Sequence, residues 1–207
     1  MPAVDHLVLA CPDLDAGIDA VARLVGVRAS AGGSHPGGGT RNALLSLGPS
    51  AYLEIIGPDR DAPAPDRPRL FGIDALRAPR LAAWAAKATD LDALSAQAAR
   101  RGVRLGAVAS GSRRRPDGIL LAWRYTSPAA VLGDGLVPFF IDWGPTPHPA
   151  RTAPSGATLV GLRAEHPEPA RIRKMLAVLN LALTVASGPE PALIATLEGP
   201  AGRVELR

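Results

Sequence analysis

Two acidic residues, Glu54 and Asp142, lie inside apolar, strand-like segments of the chain. Because an unpaired carboxylate is costly to bury, each must meet a metal, a cation or hydrogen-bond donors. Arg41 is one candidate partner for Glu54, in a purely structural pair. The alternative is a functional site in which Glu54 and Asp142 act as general bases or as metal ligands.

A histidine lies in a second strand-like segment, Asp5-His6-Leu7-Val8-Leu9-Ala10. Side chains alternate between the two faces of a strand, so His6 shares a face with Val8 and Ala10. By the same alternation, Glu54 shares a face with Tyr52 and Ile56. Neighbouring strands would therefore bring His6 and Glu54 into one cavity, although a hydrogen-bonded core histidine is the alternative for His6.

A glycine-rich segment, Gly37-Gly38-Gly39, has polar side chains on both sides, at His35, Thr40 and Asn42. A phosphate-binding loop would be followed by a helix, but no helical pattern follows this segment. We expect the segment to border a cavity, with the three polar side chains contacting substrate. A mobile surface turn is the alternative.

Aromatic and basic residues supply weaker candidates. Trp123 and Phe140 would line an apolar, substrate-binding pocket or belong to the core. The run Arg113-Arg114-Arg115 before Pro116-Asp117-Gly118 is typical of a hairpin tip with solvated charges, although one arginine could meet an anionic ligand. His148 and His166 lie in or beside proline-rich turns, and we expect both to be exposed.

An internal repeat provides the elements that position these residues. Asp13-Leu14-Asp15-Ala16 recurs as Asp90-Leu91-Asp92-Ala93, and each copy precedes an amphipathic stretch that ends in Gly-Val-Arg. Asp favours the start of a helix and Gly its end. With short apolar segments on either side, the order is β-α-β-β-β, twice. A more divergent third copy begins at Thr158. We predict an α+β fold of βαβββ modules at residues 3–57, 81–145 and 156–207, the third of them either complete or incomplete.

Several further element boundaries follow from the sequence. The second strand of each module is predicted at Val27–Ala31 and Val103–Ala109, directly after the helix. The last strand of the second module is predicted at Val137–Trp143. Gly57–Pro68 is rich in Pro and Asp without a hydrophobic period, which indicates an exposed loop.

Bulk properties exclude several classes of protein. The net charge is +4, and the arginines are scattered with few aromatic residues beside them, so nucleic-acid binding is not expected. The single cysteine rules out an internal disulfide, and no signal segment or membrane-length apolar run is present. We expect a cytoplasmic setting. The abundance of Ala, Gly and Pro is typical of GC-rich bacterial coding.

These motifs resemble the vicinal oxygen chelate (VOC) superfamily, in its glyoxalase-like branch. The resemblance rests on the tandem modules, on Asp5–Ala10, on the segment from Gly33 to Leu44, on Ala51–Ile56 and on Val137–Gly144. It implies curved mixed sheets around a cavity and one divalent metal (Zn, Fe, Mn or Ni), with His6 and Glu54 as ligands. The second module departs from the family pattern, with Ala83 in place of the second histidine and Asp142 at the fourth-strand position.

The resemblance also implies a function. A glyoxalase-like enzyme would act on a small polar molecule with vicinal oxygens, as a metal-dependent lyase, isomerase or dioxygenase. The alternative is a metal-free protein that binds or sequesters a small molecule, which the missing histidine favours over a true glyoxalase I. We expect a homodimer, or a third module packed on the first pair.

Overall fold

The computed structural model describes residues 4–35, 37–114 and 118–207. Residue 3, at the predicted start of the first module, lies outside the described residues. So do Pro36 of the glycine-rich region and residues 115–117 of the predicted hairpin tip.

The first two modules have the predicted order of elements. The first contains β1 (Val4–Ala10), α1 (Leu14–Val25), β2 (Ser30–His35), β3 (Thr40–Ser46) and β4 (Tyr52–Pro58). The second contains β5 (Arg80–Lys87), α2 (Leu91–Arg100), β6 (Val108–Arg114), β7 (Leu120–Thr126) and β8 (Phe139–Asp142).

The predicted caps bound the helices. The Asp13 side chain accepts a hydrogen bond from the Ala16 N–H, and Asp90 does the same for Ala93. Gly26 follows α1 with φ of 85°, a left-handed conformation that glycine adopts without strain. Each module therefore begins its helix where the repeat predicts.

The second strand of each module was predicted too early, because β2 begins at Ser30 and β6 at Val108. Val103 is buried in the core from a connecting segment, so its apolar character reports burial and not a strand. Glycine occurs within β2 and β6 at positions where a neighbouring side chain lies too close for a Cβ atom. A Cβ at Gly32 would overlap the side chain of Asn42, and one at Gly111 would overlap the indole ring of Trp123.

Together the two modules form one curved sheet around a cavity. Its eight strands follow the order β2-β3-β4-β1-β5-β8-β7-β6. β1 pairs in parallel with β4 and antiparallel with β5, so the modules join through their first strands. The sheet curves until the edge strands β2 and β6 approach one another. This confirms the predicted α+β fold.

Opposite faces of the sheet differ in what they bury. The outer face packs against the helices through fully buried residues that include Leu7, Leu53 and Ile55. Trp84 joins this core, and its indole N–H donates to the Leu136 carbonyl at 2.9 Å. The inner face is left to line the cavity.

The third module contains β9 (Thr158–His166), α3 (Pro169–Val178), β10 (Thr184–Ser187), β11 (Ala192–Gly199) and β12 (Gly202–Leu206). Its chain order is that of the repeat, but its sheet order is β10-β9-β11-β12. α3 therefore returns the chain beside β9, whereas α1 carries it to the far edge of its sheet. The third module packs on the first pair and shares their hydrophobic core.

Within the described residues, no helix is long and apolar enough to cross a membrane.

Candidate functional site

A cavity of about 610 Å³ lies inside the curved sheet, between the two modules. Six of the residues proposed from the sequence line it together: His6, His35, Thr40, Asn42, Glu54 and Trp123. They come from both modules, but the ionisable ones, His6, His35 and Glu54, all belong to the first.

Glu54 faces the cavity from the middle of β4. The strand alternates as predicted, with Leu53 and Ile55 fully buried on the helix side. The Asn42 amide donates a hydrogen bond to Glu54 Oε1. Oε2 lies 3.9 Å from His6 Nε2 and makes no hydrogen bond with the described residues. Arg41, the candidate structural partner, instead pairs with Asp15 on the outside. One carboxylate oxygen is thus held while the other stays open to the cavity.

His6 is held firmly beside Glu54. Its Nδ1 lies 2.8 Å from the Asp5 carboxylate. The Tyr52 ring stacks on the imidazole with centroids 4.7 Å apart, and Phe139 meets it edge-on at 5.4 Å. These contacts fix the plane of the ring and direct Nε2 towards the cavity.

Asp5 is a completely buried carboxylate that the sequence analysis did not single out. Besides His6, it meets His148 Nε2 at 3.0 Å and the Trp143 indole N–H at 3.2 Å. Burial raises the pKa of Asp5, but the hydrogen bonds and charges of His148 and His6 outweigh burial and hold that pKa well below its usual value. An ionised carboxylate only accepts hydrogen bonds, so His6 carries its proton on Nδ1 and Nε2 is left for chemistry.

His35 and Asn42 extend the polar wall. His35 Nδ1 lies 3.0 Å from the Thr40 hydroxyl, and its Nε2 lies 3.8 Å from Glu54 Oε1. Burial lowers the pKa of His35 more than the nearby Glu54 carboxylate raises it, which favours a neutral imidazole. Near neutral pH, His35 therefore adds hydrogen-bonding capacity and no charge.

Arg113 of β6 extends past Gly32 of the neighbouring edge strand β2 into this wall. It is only 5% exposed, and its Nη1 donates to Asn42 Oδ1 at 2.9 Å. Asn42 therefore bonds Glu54 through its amide nitrogen and Arg113 through its oxygen. The expected hairpin tip thus has one buried arginine at its base.

Asp142 and Phe140 do not line the cavity, contrary to the prediction. Phe140 is buried in the core, and Asp142 accepts a hydrogen bond from the Gly144 N–H at 2.8 Å. Their neighbours Phe139, Ile141 and Trp143 line the cavity instead. The cause is a shift of one position in strand parity, which exchanges the two faces.

Comparisons with known proteins identify the fold. The model of the glyoxalase-like domain family matches residues 4–179. The chain belongs to this family. The resemblance to the VOC superfamily drawn from the sequence is thereby confirmed.

Several solved structures are similar to this chain. A hypothetical protein from Staphylococcus aureus superposes with a TM-score of 0.71 at 12% identity, over 99% of this chain and 98% of that one. A Streptomyces coelicolor methylmalonyl-CoA epimerase in complex with 2-nitronate-propionyl-CoA gives 0.48 at 21% identity, over 72% and 99%. The Mycobacterium tuberculosis epimerase gives 0.46 at 21%, over 70% and 92%. None of the curated proteins matches the sequence.

The glyoxalase-like chain does not provide the donors expected for a metal. Aligning Asp13–Ala16 with its repeat Asp90–Ala93 places Ala83 at the position of His6 and Ala85 at the position of Val8. Since Val8 lies opposite Glu54 and Ala85 opposite Phe139, Phe139 occupies the position equivalent to Glu54. Neither Ala83 nor Phe139 can ligate.

The possible metal ligands of the first module do not form a metal site by themselves. Among the described residues, no group of three or more His, Cys, Asp or Glu side chains is arranged to hold a metal. Catalytic zinc sites use three protein ligands. The donor set therefore does not fit the metal that the resemblance implies.

The end of the predicted loop Gly57–Pro68, together with the residues that follow it, also contributes to the site. Arg67–Phe71 lines the cavity, and the Arg69 Nε–H donates to the Gly39 carbonyl at 2.7 Å. The segment Arg67–Phe71 is thus connected to the glycine-rich region at the opening of the cavity. His166, expected to be exposed, is buried and lies 3.0 Å from Asp134.

Sequence reasoning missed Asp5 and His148. The burial argument applied to Glu54 holds equally for Asp5, which also lies in an apolar strand, so a signal was present. His148 gave no such signal, because its partner Asp5 is 143 residues away in the chain.

Proposed function

We propose that this glyoxalase-like protein binds a small polar molecule with vicinal oxygens and moves a proton on it, with Glu54 as the general base. The observation that supports this most is the buried Glu54 carboxylate, held at one oxygen by Asn42 and open to the cavity at the other. A fixed carboxylate with one accessible oxygen is suited to removing a proton from carbon.

The reaction needs no co-reactant. Glu54 Oε2 takes a proton from the carbon next to a carbonyl, and the electron pair of that C–H bond forms an enolate. The protonated Glu54 then returns the proton to the same carbon. Where that carbon carries a hydroxyl group, the hydroxyl proton can instead pass to the enolate oxygen, and Glu54 delivers its proton to the former carbonyl carbon. His6 Nε2, 3.9 Å from Glu54, is placed to share the proton. No step passes through a metal.

Deuterium exchange tests this proposal. The protein is incubated in D2O with dihydroxyacetone, glyceraldehyde and pyruvate, and loss of the C–H signals is followed by proton NMR. We expect the wild type to catalyse exchange for at least one compound, and Glu54→Gln to lower its rate by about 100-fold or more while binding persists. Glu198→Gln, on the exposed surface of the third module, is the matched control. Exchange at the wild-type rate in Glu54→Gln would overturn the proposal.

Metal dependence is measured in the same assay. We expect exchange to persist after dialysis against a chelator, and elemental analysis to find no stoichiometric metal in the purified protein. Loss of exchange on chelation that is restored by one divalent metal would show that the metal-independent step is wrong.

A binding protein without chemistry is the second candidate function. The observation that favours it is the apolar surface that β8 and the residue after it present to the cavity, through Phe139, Ile141 and Trp143. Saturable binding without exchange in the wild type would support this candidate. A homodimer and a cytoplasmic setting stay predictions, the first to be measured by light scattering.

A further inference from the structure

Arg113 is a buried cation without a buried counter-ion. Its side chain is almost fully enclosed, yet no carboxylate of the described residues lies within 4.0 Å of it. Its hydrogen bond to the Asn42 oxygen is the only one it makes among these residues. A guanidinium offers five N–H donors, so most of its hydrogen-bonding capacity is not used by these residues, and the side chain lines the cavity.

Asn42 keeps Arg113 and Glu54 apart. Its amide accepts from Arg113 and donates to Glu54, so a neutral group lies where the two charges would otherwise pair. The backbone leaves space for this arrangement, because a Cβ at Gly32 would overlap both Asn42 Oδ1 and Arg113 Nη1. Because Arg113 does not pair with Glu54, its positive charge is available to a ligand.

We propose that Arg113 is an anion subsite and that the ligand is a small monocarboxylate. Guanidinium binds carboxylate in a two-pronged geometry, which suits a single buried arginine. Besides Arg113, the basic residues lining the cavity are Arg67, which is exposed, and Arg69, which pairs with Asp74. Of the cavity residues that the structure describes, Arg113 is therefore the one unpaired cation beside the Glu54 carboxylate. It balances a ligand with one negative charge, but not a ligand with two.

The anion subsite deepens the proposed function and rests on it for the reaction, though not for binding. A carboxylate on Arg113 brings the carbon atoms next to it towards Glu54, across the width of the Asn42 amide. The carboxylate and an adjacent carbonyl or hydroxyl group supply the vicinal oxygens. The substrate class is therefore a short 2-oxo or 2-hydroxy acid.

Calorimetric titration with pyruvate, neutral pyruvamide and inorganic phosphate tests the subsite. We expect saturable binding of pyruvate and none of pyruvamide at millimolar concentration. Arg113→Met should weaken pyruvate binding by about tenfold or more, because charge-assisted hydrogen bonds are lost. Arg124→Gln, an exposed arginine on β7 paired with Asp92, is the control and should bind as the wild type does.

Folding does not obscure the result. Methionine fills the space of the arginine stem without an uncompensated charge, so Arg113→Met should melt at or above the wild-type temperature. Asn42→Asp provides a second variant, since it places a counter-ion on Arg113 and should also weaken pyruvate binding. Thermal melts of both variants accompany the titrations.

The outcomes separate the two proposals. Pyruvate binding that needs Arg113, without proton exchange, supports the subsite and overturns proton transfer. Proton exchange that Arg113→Met leaves unchanged overturns the subsite alone. Equal binding of pyruvate and pyruvamide, tighter binding of phosphate, or no binding of pyruvate would each refute a monocarboxylate subsite.

Discussion

Replacing Asp5 by asparagine changes one buried charge and keeps the shape of the side chain. Asp5 accepts hydrogen bonds from His6, His148 and Trp143. The amide oxygen of asparagine can replace part of this set, but its NH2 group then faces an N–H donor. His148 cannot easily change tautomer, because its Nδ1 accepts from the Ala150 N–H.

The expected cost follows from these contacts. Hydrogen bonds to a charged group contribute about 1.5–3 kcal/mol each, and one or two are lost. We therefore expect Asp5→Asn to lower the free energy of unfolding by about 2–4 kcal/mol. Urea denaturation at neutral pH measures it, with the exposed Asp66→Asn as control.

Acid provides the second measurement for this variant. The pKa of Asp5 is lower in the folded protein than the value of about 3.9 typical of an unfolded chain. A lowered pKa gives stability that is present above the unfolded-state pKa and is lost as the pH falls towards the folded-state pKa. Wild-type stability should therefore fall more steeply below about pH 4 than that of Asp5→Asn. Equal acid slopes, or unfolding free energies within about 0.5 kcal/mol, would show that the account of Asp5 is wrong.

Three further outcomes are expected. Gly32→Ala should destabilise the protein by about 1–3 kcal/mol in urea denaturation, because its Cβ overlaps Arg113, whereas Gly161→Ala, with its nearest neighbour 3.7 Å away, should cost less. The C–H resonances of His35 should titrate by NMR with a midpoint below 6.5, since burial lowers its pKa; a midpoint above that value would contradict this. Cys11 should react with a thiol reagent in urea but not in the native protein at pH 8, because it is buried and burial raises its pKa to about 12; rapid native labelling would refute this.

Local signals predicted the order of elements in the first two modules and the part of the candidate site that lies on β1 and β4. Side-chain alternation placed His6 and Glu54 on the cavity, because a strand's period of two depends only on its own residues. Paired aspartates located both helix starts for the same reason.

Long-range pairing accounts for the errors. Which residues of β8 face inward depends on its register with β5, and no local pattern specifies that register, so Asp142 was assigned the wrong face. The order of strands in the sheet of the third module, which the sequence does not predict, likewise depends on where α3 returns the chain. His148 joins the site through a contact that spans most of the sequence.

The position of the carboxylate and the imidazoles on one side of the cavity has a stereochemical consequence. Among the described lining residues, the carboxylate and both imidazoles, Glu54, His6 and His35, belong to the first module. A planar enolate bound in the cavity would meet these groups on one face only. Under the proposed function, a proton would leave and return suprafacially, so deuterium placed on the substrate would reappear on the same side of the product.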